Sequence, residues 1–261
     1  MKRRIVKPQI DGPLLDKAKV SFPDSTDFSK YPFCLPIIKN LTQIDFLTQV
    51  TFFVGENGTG KSTILESIAD KAGMGPEGGS KNFYLKTAEE HVYQGTNTFS
   101  DCLTLSWRAK PQDVYFFKAE SFFNVATHID KIAQDDFEIY KSYGGKSLHS
   151  QSHGESFLAF FKNRVGNSGF YIFDEPEAAL SPQRQLSLLV IINEMCKQSG
   201  SQFIIATHSP ILLAYPGATI YSCDGDTLKK VSYKETDHYQ ITKRFLDNPG
   251  QFLHHLFNEE E

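Results

Sequence analysis

The sequence predicts an α/β fold, a mostly parallel sheet with helices on both faces, and three features carry that prediction. GFYIFDE and SQFIIATH, at 169–175 and 201–208, are continuous apolar runs of strand length, the pattern of strands buried on both faces. Between them SPQRQLSLLVIINEMCKQ reads as a helix, with Ser181 as N-cap and Pro182 at the first helical position. A third run, VTFFV, stops at Gly55 and is followed by a glycine loop. Beyond that loop Ile64, Leu65, Ile68, Ala69 and Ala72 fall on one helical face. Strand–helix alternation of this kind builds parallel sheets.

The remaining elements follow in chain order. Residues 1–36 are rich in proline and polar residues, and LTQIDFLTQVTFFV supplies strand-forming residues up to Gly55. AGMGPEGGS reads as loop, and residues 81–117 hold short β-type runs. VYFFKAESFFNVATHIDKIA reads as a strand turning into a helix, and YGGKSLHSQSHGE as a flexible stretch. ESFLAFFKNRV is a helix with Phe157, Phe160 and Phe161 on its apolar face. The tail from Tyr215 to Glu261 reads as a short strand pair and one or two amphipathic helices. This gives a single domain over 1–261, with a core from 35–80 and 166–215. An antiparallel β-rich insert occupies 81–117, a small helical subdomain 118–165 and a C-terminal extension 216–261.

Bulk properties narrow the function classes. At 261 residues, 40% hydrophobic and 22% charged, the chain has ordinary globular composition. A formal net charge of −4 gives no overall field for nucleic acid, although MKRRIVK is locally basic. No apolar stretch approaches the ~20 residues that cross a bilayer, so no membrane insertion is expected and the expected location is cytoplasmic. Cys34, Cys102, Cys196 and Cys223 lack C-x-x-C spacing and are expected to be reduced thiols.

GENGTGKS at 55–62 matches G-x-x-x-x-G-K-[ST] between a predicted strand and a predicted helix, the context a P-loop requires. Gly55, Glu56, Asn57, Gly58, Thr59 and Gly60 wrap backbone N–H groups around phosphate, and the helix N-terminus adds positive potential. Lys61 reaches the β and γ phosphates and the Ser62 hydroxyl takes Mg²⁺, with Thr63 beside it. At the end of the second run, Asp174 is placed to hold the metal through water and Glu175 to orient a water for attack. Adjacent acids with those two roles point to hydrolysis, since a kinase must keep water out. His208 stands just beyond the third run, where the γ-phosphate would lie.

In this order the residues resemble the ABC-type ATPase superfamily: GENGTGKST as Walker A, FYIFDE as Walker B and ATHSP as the histidine switch. QSHGE at 151–155 stands where the family carries LSGGQ. Ser152, Gly154 and Glu155 match, whereas Gln151 and His153 depart from it. The resemblance implies that this segment meets the ATP of an opposite subunit, hence a head-to-tail homodimer enclosing two ATPs. Ser152 and Glu155 also fit a capping box ahead of the apolar helix, and a capped helix N-terminus is itself an anion site. EPEAALSP resembles the D-loop, with Ser181 where the family has aspartate. VYFFKAESFFN stands at the glutamine-loop position without a glutamine; Glu120 near the metal is one candidate for the role and Gln94 another. Phe28, Tyr31 and Phe33 are candidates for stacking on adenine.

Within the superfamily, RAKPQDVYFFKAESFFNVATHID, SQSHGESFLAFF and IFDEPEAALSPQRQL resemble small stand-alone bacterial AAA-family ATPases. About 90 residues between Lys61 and Ser152 leave no room for SMC-type coiled-coil arms. The expected function is an ATP-dependent homodimeric switch for a separate partner, in genome maintenance or phage defence by resemblance. Two alternatives stand beside it: the nucleotide-binding subunit of a transporter, and a DNA-stimulated ATPase.

Overall fold

The computed structural model describes residues 12–75, 98–119, 153–162 and 168–257. Its centre is a six-stranded sheet in the order β5-β6-β7-β3-β8-β9. These strands are β3 (Val50–Val54), β5 (Asp113–Lys118), β6 (Gly169–Asp174), β7 (Gln202–Ala206), β8 (Thr219–Ser222) and β9 (Lys229–Val231). Neighbours from β5 through β8 run parallel, and β9 closes the edge antiparallel to β8.

Every residue of β3, β6 and β7 is buried, which is why their sequences are unbroken apolar runs. Alternate side chains feed two cores. Phe170 and Ile172 of β6, with Phe53, Ile204 and Phe116, pack against helix α2 (Lys61–Lys71), which follows the short helix α1 (Pro36–Lys39), through Ile64, Leu65 and Ile68. Tyr171 and Phe173, with Phe52, Phe203 and Ile205, face the opposite way. They meet Phe157 and Phe161 of α3 (His153–Lys162) and Leu188 and Ile192 of α4 (Pro182–Ser199). The Phe161 ring lies 4.8 Å from Phe173 and 5.7 Å from Tyr115 in edge-to-face contacts, so α3 is fixed to the sheet by aromatic packing. The side chain of Phe160 lies outside the described residues.

A second sheet, β2-β1-β4, is antiparallel and covers the α2 side of the core. It comprises β1 (Leu15–Val20), β2 (Gln43–Asp45) and β4 (Leu103–Trp107). Buried Gln202 joins the sheets: its Oε1 accepts from Leu15 N at 2.6 Å and its Nε2 donates to Leu15 O at 3.2 Å. Three expectations change here. β1 arises in the polar leader, because Leu15 and Ala18 turn fully inward and Val20 partly so while Lys19 stays at the surface. LTQIDFLTQVTFFV divides into β2 and β3, which belong to different sheets. Residues 113–117, expected in the insert, form most of β5 in the parallel core.

After β7 come a short helix α5 (Pro210–Leu213), the β8–β9 pair, then α6 (Asp237–Asp247) and α7 (Pro249–Phe257). The tail is thus the expected strand pair and two helices, with β8 also joined in parallel to β3. Ser181 occupies the N-cap of α4 with Pro182 following, but its hydroxyl makes no cap bond. The amide it would serve, Arg184 N, already donates to the Ser181 carbonyl at 2.9 Å. No helix among the described residues is long and apolar enough to cross a membrane.

Candidate functional site

The site lies beyond the carboxyl ends of β3, β6 and β7, where three loops converge. The first leaves β3 at Gly55 and enters α2 through Gly60, whose φ of 99° is the left-handed conformation glycine adopts freely. A Cβ at Gly60 would also stand 2.9 Å from Ile37, so close packing and dihedral both require glycine. Lys61 is 4% exposed, and its Nζ donates to Gly55 O at 2.7 Å and Glu56 O at 2.9 Å. An ammonium has three protons, so one remains for an anion in the loop. Asp224, in the turn after β8, accepts from Glu56 N at 2.8 Å and pins the loop's leading edge.

The second loop leaves β6. Ser62 Oγ donates to Asp174 Oδ1 at 3.2 Å. The Ser62 hydroxyl and the Asp174 carboxylate are hard oxygen donors set side by side, the kind of pair that would hold Mg²⁺, with Asp174 acting directly or through water. Burial pushes the Asp174 carboxyl up to about 6, with Glu175 and Glu66 raising it further and the Ser62 hydrogen bond and Lys118 opposing them. A buried carboxylate of this kind gains from a cation beside it. Because its ordinary value is 3.8, the folded state holds this proton more tightly. The associated stability is present below pH ~4 and lost as pH rises through ~6. Asp174→Asn should therefore stabilise the nucleotide-free protein at pH 7.5 by on the order of 2 kcal/mol. In urea unfolding the gap to wild type should narrow as the pH is lowered to 5.

Glu175 follows with φ 49° and ψ 53°, a left-handed conformation costly for a side-chain-bearing residue, held by its N–H donating to Ala206 O at 3.0 Å. Its Oε1 lies 3.4 Å from Nε2 of His208, in the third loop, which follows β7. That nitrogen is buried and has no hydrogen-bond partner among the described residues. The His208 backbone is fixed from behind by donating its N–H to Glu177 Oε1 at 2.6 Å. Burial raises the Glu177 carboxyl above its usual range. His208 Nδ1 meets Nε2 of His238, on α6, at 2.8 Å.

The structure thus brings together Gly55, Lys61, Ser62, Asp174, Glu175 and His208 from three separate stretches of chain. Glu177, Asp224 and His238 were missed by the sequence reading. Glu177 carried a usable signal, as the third acid of DEPE; Asp224 and His238 carried none. Of the adenine candidates, Phe33 is buried in the core and Phe28 packs edge-on against Phe22 at 5.3 Å. Tyr31 is exposed, and its hydroxyl is 2.9 Å from Thr63 Oγ1. Gly154 and Glu155 lie in the first turn of α3, although the Glu155 side chain is outside the described residues. Ser152, Glu120 and Gln94 are likewise outside them.

A family model described as "AAA domain" matches residues 29–157, and one described as "AAA domain, putative AbiEii toxin, Type IV TA system" matches 152–214. Among curated proteins, the cobalt import ATP-binding protein CbiO of Salmonella typhimurium strain LT2 is 22% identical over 205 residues, 71% of either chain. That of Salmonella typhi is 23% identical over 206 residues, again 71% of either chain. Among solved structures, cbiO1 from Clostridium perfringens, part of the ABC transporter complex cbiONQ, aligns over 95% of this chain and 99% of its own, at 18% identity and a TM-score of 0.48. The SMC head domain from Thermotoga maritima aligns over 84% and 98%, at 16% identity and a TM-score of 0.43. Between them the two AAA-domain models span the P-loop through the histidine loop, and with the CbiO likeness and the placement of those motifs around one parallel sheet they support an ABC-type, SMC-like ATPase fold for the chain.

Proposed function

We propose that this chain binds and hydrolyses ATP and that two copies close head to tail over two nucleotides, switching a separate partner protein. The observation that carries the reading is the convergence of Lys61, the Ser62–Asp174 pair and the Glu175–His208 pair beyond three parallel strand ends. Lys61 and the loop amides bind the phosphates, while exposed Tyr31, beside Thr63, offers a ring for the base. Ser62 and Asp174 hold Mg²⁺, which neutralises charge on the phosphates when bound. Glu175 orients the attacking water and His208 turns its unpartnered Nε2 toward the γ-phosphate.

The head-to-tail reading rests on QSHGE and finds support in the placement of α3. That helix packs on one face of the sheet through Phe157 and Phe161, whereas α2, which carries Lys61 and Ser62, packs on the other. α3 thus stands on the opposite side of the sheet from the chain's own phosphate loop, as a role toward a neighbouring copy's nucleotide requires. Ser152→Arg should leave nucleotide binding to the monomer unchanged and prevent ATP-dependent dimerisation, followed by light scattering with Mg²⁺ and ATP. Dimerisation of this variant at the wild-type ATP concentration would remove the role of QSHGE across subunits.

The description of the 152–214 match, "putative AbiEii toxin, Type IV TA system", favours a soluble protein partner, and the resemblance of the sequence motifs points to genome maintenance or phage defence. The CbiO likeness favours a second reading, the nucleotide-binding subunit of a transporter. The two separate on what accompanies the protein from its native host: a membrane protein supports the second, a soluble effector the first. Stimulation of ATPase by DNA at low salt would instead indicate a nucleic-acid partner, for which the net charge of −4 offers no support.

A further inference from the structure

The tail that follows the sheet reaches back into the site through one side chain. Helix α6 buries none of its own residues, so what fixes its first turn is specific contact. Buried Thr236 caps it, accepting from Tyr239 N at 3.3 Å, and the Tyr233 and Tyr239 rings lie 4.6 Å apart. Between them His238 extends inward to His208, with ring centroids 4.9 Å apart and the two nitrogens at 2.8 Å.

We propose that His238 is a positioning residue for the ATPase site: its Nε2–H, donated to Nδ1 of His208, fixes the ring and tautomer with which His208 presents Nε2–H to the reacting phosphate. The inference rests on the hydrolytic reading of the site. It follows from which protons the two rings can carry. A neutral imidazole has one donor and one acceptor nitrogen, and the partner of one nitrogen decides the state of the other. Nε2 of His208 lies 3.4 Å from the Glu175 carboxylate without hydrogen-bonding to it, and since a lone pair there would face a negative charge, the proton is assigned to Nε2. Nδ1 is then an acceptor, and His238 must be the donor. Burial and the neighbouring His208 lower the His238 pKa, against Asp224 and Glu56 which raise it and alongside Lys61 which lowers it, keeping the ring neutral at pH 7. Glu177 holds the His208 backbone and His238 its ring, so the switch residue is anchored at both ends before nucleotide arrives.

The test compares His238→Leu, which keeps bulk and loses the donor, with His238→Gln, whose amide N–H can take the place of Nε2–H. The first readout needs no turnover. In ¹⁵N-histidine NMR of the nucleotide-free protein, with His208 assigned by its loss in His208→Gln, wild type and His238→Gln should show the Nε2–H tautomer and His238→Leu a mixture. The second is kinetic: His238→Leu should lower kcat about tenfold at unchanged KM for ATP, and His238→Gln should restore most of it. An unchanged His208 tautomer in His238→Leu, or equal kcat in wild type and His238→Leu, overturns the proposal. So does a His238→Gln protein as impaired as His238→Leu, which would leave only a packing role. A wild-type protein with no ATPase activity sinks the hydrolytic reading and the catalytic consequence with it, and the NMR readout then decides the histidine contact by itself.

Discussion

Glu175→Gln should bind ATP as the wild type does and hydrolyse it about 10²- to 10³-fold more slowly, accumulating an ATP-bound dimer. Glutamine keeps the size and the strained backbone position of the residue but cannot act as a base toward water. The carboxylate stands 3.4 Å from His208 and is not part of the contacts of Lys61 or of the Ser62–Asp174 pair, so nucleotide affinity is spared. The result should be a KM within a few-fold of wild type, a collapsed kcat and a doubled mass by light scattering when ATP and Mg²⁺ are present. Turnover at the wild-type rate would show that another group orients the water, and the strained conformation of Glu175 would then need a different explanation.

Lys61→Ala should act one step earlier and abolish tight binding, with ATP affinity weakened at least about 100-fold, ~2.7 kcal/mol. Two effects combine. The ammonium is a buried cation of the loop and, in the proposed function, the partner of the phosphate charge. It also bridges the Gly55 and Glu56 carbonyls, so its removal takes a donor from each, the Glu56 oxygen keeping the Thr59 hydroxyl at 2.9 Å. Titration calorimetry with a non-hydrolysable ATP analogue separates this variant from Glu175→Gln. Wild-type affinity in Lys61→Ala would mean that the glycine loop is not the phosphate cradle. If both variants behave as expected, binding and hydrolysis are assigned to different loops of one site.

The match between sequence and structure is uneven for physical reasons. Strands β3, β6 and β7 were legible because burial on both faces demands unbroken apolar runs, and helix α2 because its buried residues recur at helical spacing. β1 was not: although it is the middle strand of the small sheet, it buries only Leu15 and Ala18 fully and Val20 in part, which leaves a polar sequence that resembles a loop. The boundary of the insert failed for a related reason: β-type residues announce a strand but not the sheet it joins, and Asp113–Lys118 joined the parallel core.

By itself the sequence determined the phosphate loop and the acids and histidine at the strand ends. Each depends on a short local pattern, a glycine-rich turn or a polar residue closing an apolar run. Tertiary structure alone decided which residues stand behind them. Glu177 beneath the His208 backbone, Asp224 against the loop amide and His238 against the imidazole are separated in sequence from their partners by 31, 168 and 30 residues. No periodicity encodes such contacts, because they arise only when the parallel order of β6, β7, β3 and β8 brings the loops after those strands to one end of the sheet and the tail beyond β9 returns α6 to that end.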